Sequence, residues 1–292
     1  MPVWSASLRR LRAALDAITE RLPLDPLKRH LQSISRAGAR LLTPLFELLD
    51  TTTRRLLVRP AASHDRRALP VLCFGDSITE GYHGVWIHPD FSPSTNEGGN
   101  EIANVRLRPY SVRLGHHLAN DASDGAEGYR AALRYASVRA YSGWSAEELL
   151  PALRAALRER PWRAACILAG SNDVILAGED AATVLRRVAR LHEACDTAGV
   201  PVVVMTLPDA DLAHHGMVPA EAADSRRKVL AQVAEGLTAV CRSKNPQRRC
   251  LSDVRDALPL SAELFDDCMH PSPAGSDRIA DTVYSTLHHH GL

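Results

Sequence analysis

The sequence predicts an α/β protein, a flavodoxin-like three-layer α/β/α sandwich on a parallel sheet, preceded by a helical N-terminal extension. Two observations carry that expectation. Short apolar runs of strand length recur beyond residue 70, and they alternate with stretches of helical periodicity. Such alternation argues for a parallel sheet covered by helices on both faces. Charge also divides the chain: residues 1–67 hold 13 Lys and Arg against 6 Asp and Glu, a net +7, whereas residues 68–292 hold 22 against 28, a net −6.

The extension is residues 1–69. Trp4, Leu8, Leu11, Leu15, Ile18 and Leu22 recur at spacings of three and four opposite Arg9, Arg10, Arg12, Asp16, Glu20 and Arg21, which describes an amphipathic helix. Pro23 and Pro26 interrupt it, and a second stripe through Leu27, Leu31 and Ile34 leads to an apolar cluster that Pro44 breaks or kinks. A basic amphipathic arm of this kind packs on its own domain, associates with a second copy, docks peripherally on a membrane surface or targets an organelle. Asp16, Glu20 and Asp25 count against the last of these. Residues 61–69, polar and basic, read as the linker.

Residues 70–292 read as one domain. Strands are expected at 70–74, 132–141, 164–169, 200–207 and 250–254, and helices at 108–120, 146–158, 181–198, 221–241 and 276–289. Ser145-Ala146-Glu147-Glu148 has the capping-box pattern that opens a helix. Residues 82–105 form a long segment rich in Gly, Pro, Ser and Asn, of a length that is usually functional in a compact domain. Trp86 within it, and Tyr110 after it, are candidate walls of a substrate pocket.

Composition excludes several classes. A slightly acidic domain with few basic clusters argues against nucleic acid. No run approaches the apolar length of a membrane span. The six cysteines, Cys73, Cys166, Cys195, Cys241, Cys250 and Cys268, show no Cys-x-x-Cys spacing, so no zinc or redox motif is predicted. Cys73 and Cys166 fall in expected buried strands, where cysteine serves as a small hydrophobe. With no secretory apolar core visible, this points to an intracellular, cytoplasmic location, organelle targeting by the extension remaining the alternative. His83, His88, His214, His215 and the triplet His288-His289-His290 lack convincing partners and are read as solvated.

The chemistry lies in four short blocks. In Gly75-Asp76-Ser77 the serine follows a strand just as the chain turns toward a helix, where a nucleophile would be placed. Asp267-Cys268-Met269-His270 sets a carboxylate three residues before a histidine. A serine hydroxyl needs a base, and a histidine base needs a carboxylate to fix its tautomer, so Ser77, His270 and Asp267 form a candidate triad. Asp266 competes with Asp267 and is read as a solvated or capping acid. Gly143 lies in a loop, and Gly170-Ser171-Asn172-Asp173 follows another strand. Plainer readings exist for each: Ser77 as a helix cap, Gly143 as a turn glycine, Asn172 and Asp173 as loop residues bonding their own backbone.

These four blocks, in this order, resemble those of the SGNH or GDSL hydrolase superfamily, from about residue 70 to the C-terminus. The resemblance implies Ser77 as nucleophile, His270 as base and then acid, and Asp267 as its orienter. It implies an oxyanion hole made by the backbone N–H groups of Ser77 and Gly143 with the side-chain amide of Asn172, and it implies Asp173 as a brace. Ser77 is not in a Gly-x-Ser-x-Gly elbow, which argues against an ordinary α/β-hydrolase. The expected activity is hydrolysis of small carboxylic esters through an acyl-enzyme, with no metal and no cofactor. Transfer of the acyl group to an alcohol by the same site is the close alternative. An interaction protein whose extension is the working part and whose domain is a scaffold is the distant one.

Overall fold

The structure is a computed structural model and describes residues 69–83, 106–122, 129–213, 218–243 and 248–292. The chain divides into two units, Met1–Pro60 and Ala61–Leu292, and the fold described is that of the second. The amphipathic stripe of the extension, Trp86, His88, His214 and His215 lie outside the described residues.

Five strands form one parallel sheet: β1 (Val71–Gly75), β4 (Ala136–Ala140), β5 (Ala165–Leu168), β6 (Val202–Met205) and β7 (Arg249–Ser252). Their spatial order is β4-β1-β5-β6-β7, and every neighbouring pair runs parallel. The reason is visible in the residues. VLCFG, ACIL and VVVM are buried at every position, so both faces must be covered and only crossover helices can cover them. One cover comprises α2 (Tyr110–Asp121), α3 (Tyr129–Tyr135) and α9 (Pro273–His289), which pack on each other. The other comprises α4 (Ala146–Glu159), α6 (Ala181–Thr197) and α7 (Ala220–Ser243). This is the expected three-layer sandwich.

Two expectations need correction. The expected strand at 132–141 begins only at Ala136; residues up to Tyr135 belong to α3. Ala132 and Tyr135 are buried three residues apart, a helical spacing, and the alanine-rich run favours a helix packed on α2. Tyr110 is not a pocket wall. It is 1 % exposed, in the core, with its hydroxyl donating to Met205 Sδ at 3.6 Å.

Three further short elements matter to the site. They are the one-turn helix α1 (Ser77–Glu80) directly after β1, α5 (Ser171–Ile175) after β5, and a two-stranded ladder of β2 (Tyr82–His83) with β3 (Arg106–Leu107). A remaining turn, α8 (Val254–Ala257), follows β7. The ladder pins together the two ends of the long segment that follows α1, so its first residue, Tyr82, has a fixed position.

Gly75 closes β1 where no side chain fits. A Cβ there would lie 2.1 Å from Leu168 O of β5 and 2.4 Å from Thr79 Oγ1 of α1. The glycine before Asp76 is therefore required by strand and helix approaching from two sides. Gly75→Ala is expected to destabilise the domain by about 1–3 kcal/mol, because neither a strand carbonyl nor the turn can yield freely. A lower urea midpoint at unchanged slope would register it.

Candidate active site

The order β4-β1-β5-β6-β7 reverses direction between β1 and β5, and open parallel sheets bind ligands at such a switch point, outside the carboxyl ends of the strands. Three loops meet at that end: Asp76-Ser77 after β1, residues 141–145 after β4, and residues 169–172 after β5. The fourth contribution comes from the loop before α9.

Asp76 is the N-cap of α1; its Oδ1 accepts from the Ile78 N–H at 3.0 Å. The plainer reading of Ser77 as a cap is thus filled by its neighbour. Ser77 is the first helical residue, 6 % exposed, and its Oγ lies 2.9 Å from His270 Nε2. On the far side of the ring His270 Nδ1 lies 2.6 Å from Asp267 Oδ2. The other Asp267 oxygen, Oδ1, accepts from the backbone N–H groups of Met269 at 2.8 Å and His270 at 2.7 Å. One carboxylate therefore builds the turn and holds the ring, which is what the three-residue spacing provides. Asp266 is exposed, and its N–H donates to the His270 carbonyl at 3.0 Å. Tyr82, fixed by the ladder, tilts its ring over the imidazole at 5.2 Å between centroids.

Burial pushes the Asp267 carboxyl upward, but the bond from His270, the imidazole charge and the two backbone donors outweigh it and hold it below its ordinary value. Asp76 behaves oppositely. Complete burial raises it from 3.8 to about 6, only partly offset by the Ile78 N–H, the His270 charge and the Ser171 hydroxyl. Asp76 Oδ2 and Ser171 Oγ are buried without a partner in hydrogen-bond geometry.

Gly143 sits in the loop after β4 with φ 78°, a left-handed conformation that a side chain would strain although nothing crowds it. Two residues later Ser145 caps α4 with both bonds of the capping box, so the expected helix start is present. Asn172 lies in α5, 5 % exposed, with Nδ2 donating to the Trp144 carbonyl at 3.0 Å. Asp173 is fully buried; its Oδ2 accepts from Ala146 N–H at 2.7 Å and its Oδ1 from Arg187 at 2.9 Å. Asn172 and Asp173 do not turn back on their own backbone; they reach across to the Gly143 loop. The structure thus brings Ser77, His270 and Asp267 into one hydrogen-bonded row, and it joins the Asn172 loop to the Gly143 loop.

Sequence reasoning missed three participants. Asp76 is an acid just before a short helix, yet the plainer capping reading is given to Ser77 and not to it. Tyr82 gives no signal until the ladder pairs it with Leu107. Arg187 lies on α6, remote in sequence from every block. Among the described residues, no group of three or more His, Cys, Asp or Glu side chains is placed to hold a metal ion, and no helix is long and apolar enough to cross a membrane. All six cysteines are buried, and none is in a disulfide.

The sequence profile of the GDSL-like lipase/acylhydrolase family matches residues 73–278. No curated protein matches the chain. Among solved structures, an aryl esterase from M. smegmatis, in its inhibitor-bound form, is similar at a TM-score of 0.55 and 15 % identity, over 76 % of this chain and 99 % of that one. A putative acylhydrolase from Bacteroides fragilis is similar at 0.54 and 15 %, over 82 % and 94 %. A lipolytic protein of the G-D-S-L family from Veillonella parvula is similar at 0.50 and 17 %, over 76 % and 99 %. At these identities the likeness is one of fold.

The buried Asp76 generates a prediction about stability. Between pH 3.8 and about 6 the folded protein holds a proton that the unfolded chain releases, so this group's contribution falls as pH rises through that window. Raising the carboxyl that far corresponds to roughly 3 kcal/mol. Asp76→Asn keeps an acceptor for Ile78 and cannot ionise. Relative to wild type it is expected to gain about 2–3 kcal/mol between pH 4 and pH 7.5. Urea unfolding of both proteins at the two pH values checks this; parallel pH dependence would refute it.

Proposed function

The chain belongs to the GDSL-like lipase/acylhydrolase family, and we propose that it is a serine hydrolase that cleaves small carboxylic esters through an acyl-enzyme. The observation that supports this best is the row Ser77 Oγ, His270 Nε2, His270 Nδ1, Asp267 Oδ2, with separations of 2.9 and 2.6 Å across the ring.

In this reading Nδ1 carries the proton donated to Asp267, which leaves Nε2 free to accept the Ser77 proton as Oγ attacks the ester carbonyl. The carbonyl π bond opens, and negative charge moves to the carbonyl oxygen. That charge is received by the N–H groups of Ser77 and Gly143 and by the Asn172 hydrogen not used on Trp144. The imidazolium then returns its proton to the leaving alcohol as the C–O bond breaks, and the acyl group stays on Ser77. Water, deprotonated by the same Nε2, attacks the acyl-enzyme, releases the acid and restores the serine. The imidazolium, formed twice per turnover, is balanced each time by Asp267, whose carboxyl is held in its charged form.

The aryl esterase and acylhydrolase folds noted above are consistent with an ester substrate, and the row needs no cofactor for these steps. The same site would transfer the acyl group if an alcohol replaced water. We assign catalysis to residues 70–292 and placement, on a membrane surface or a second copy, to residues 1–69.

Ser77→Ala is expected to reduce turnover of a chromogenic short-chain ester by about 10⁴- to 10⁶-fold while the protein stays folded, and to abolish labelling by a fluorophosphonate. Asn172→Ala is expected to cost about 10²- to 10³-fold in kcat with KM changed little. Undiminished turnover in folded Ser77→Ala would overturn the reading, and a rise confined to KM would make Asn172 a binding residue instead.

A further inference from the structure

The two segments that carry Gly143 and Asn172 are joined by two direct side-chain bonds, Asn172 Nδ2 to Trp144 O at 3.0 Å and Ala146 N to Asp173 Oδ2 at 2.7 Å. The first fixes the plane of the Asn172 amide, and so fixes where its second hydrogen points. The second holds the start of α4, three residues beyond Gly143, against α5. Both depend on where the backbone of residues 172–173 sits.

Asp173 has no exposure, and a carboxylate so placed requires a partner. Arg187 supplies it: Nη1 lies 2.9 Å from Asp173 Oδ1. The same guanidinium places Nη2 2.9 Å from Glu179 Oε1 and Nε 3.4 Å from Glu147 Oε2. Those three carboxylates come from three segments: α5 beside Asn172, the turn before α6, and the first turn of α4. The pair with exposed Glu147 is weak on its own, whereas the pair with Asp173 is desolvated. A planar fork that reaches all three at once is a property of arginine that lysine does not share.

We propose that Arg187 is a positioning residue: through Asp173 it locks the Asn172 loop to the Gly143 loop and so sets the geometry of the oxyanion-binding pocket. This rests on the oxyanion role given to Gly143 and Asn172 above. Without Arg187 the Asp173 carboxylate is buried and unpaired, and the loop relaxes to reach water or a proton. The Ala146 bond and the amide orientation go with it. The groups that touch substrate all remain, so binding should persist while transition-state stabilisation falls.

The test compares Arg187→Ala and Arg187→Lys with wild type. For Arg187→Ala, assayed well below its melting temperature, kcat for the chromogenic ester should fall about 10- to 100-fold, the scale expected of a small misplacement, with KM within about three-fold. Arg187→Lys should recover only part of the loss, because it still offers Asp173 a cation but cannot reach Glu179 and Glu147 with the same fork. A role in stability alone would lower the melting temperature and leave kcat unmoved. A second readout does not depend on turnover: hydrogen exchange at the Ala146 amide should accelerate in Arg187→Ala while amides of β1 keep their protection. If Arg187→Ala does not fold, Arg187→Gln carries both measurements. A kcat within two-fold of wild type in folded Arg187→Ala, or in Arg187→Gln where that variant stands in for it, or unchanged exchange at Ala146 there, overturns the proposal. Absence of ester turnover in wild type would instead overturn the function proposed above, and the exchange result would then decide this one alone.

Discussion

The constraint on which the rest depends is the position of β1 inside the sheet, between β4 and β5 rather than at an edge. A parallel sheet sends all its strands out at one end, and the chain must leave β1 toward one face and β5 toward the other. The loops after β4, β1 and β5 are therefore neighbours for topological reasons, before any side chain is chosen. Register reinforces this: Gly75 pairs with Ala140 on one side and Leu168 on the other, so the three loops begin at the same height. The tight β1–β5 contact that excludes a Cβ at Gly75 makes the starting point of Ser77 a matter of strand spacing.

Three carboxylates are buried at that end, and each is accommodated differently. Asp267 is surrounded by donors and held in its charged form. Asp173 has a guanidinium. Asp76 has one backbone donor and one oxygen with none, and burial accordingly pushes it up to about 6. Asp267 and Asp76 move in opposite directions because Asp267 has several donors and Asp76 few, Asp267 being also the less deeply buried of the two. The consequence is a division of labour: the well-donated acid can balance a developing positive charge, the ion-paired acid can hold two loops, and the poorly donated one serves as a cap at a cost in stability near neutral pH.

Most of the frame was legible in the sequence because burial on both faces leaves a local signature. Four of five strands were expected within two or three residues of their observed ends, and α4 and α6 begin at or within one residue of the predicted positions because their caps are local. The stretch before β4 failed for the converse reason. The alanines favour a helix, but the apolar run that ends in Tyr135 and Ala136 flows without a break into β4, and contact with α2 fixes where the helix gives way to the strand. Ser77, Asp267 and His270 were legible since each belongs to a block with fixed spacing, and the Asp267 turn is a three-residue event. Arg187 was not, as its pairing with Asp173 spans fourteen residues and exists only after α5 and α6 pack. Tyr110 misled because an aromatic beside a long loop looks like a wall; its ring instead fills the core below Met205.

His192 shows why a buried histidine is not in itself a base. It lies on α6, 1 % exposed, with neither ring nitrogen hydrogen-bonded. Burial, with the nearby Arg249 charge, drives it down to about 3, against a smaller opposing pull from Asp196, so it stays neutral across the physiological range and has no reacting group to serve. His270 is buried to nearly the same degree, 5 % exposed, but is bracketed by a hydroxyl and a carboxylate. The difference between the two rings is not depth but partners on opposite edges. Proton transfer needs an acceptor nitrogen facing the nucleophile and a carboxylate facing away from it, because only then is the transient imidazolium stabilised where it forms. The turn that Asp267 makes with its own backbone provides that second partner without recruiting another element, so the His270 ring is carried on a short loop ahead of α9 and still held in place.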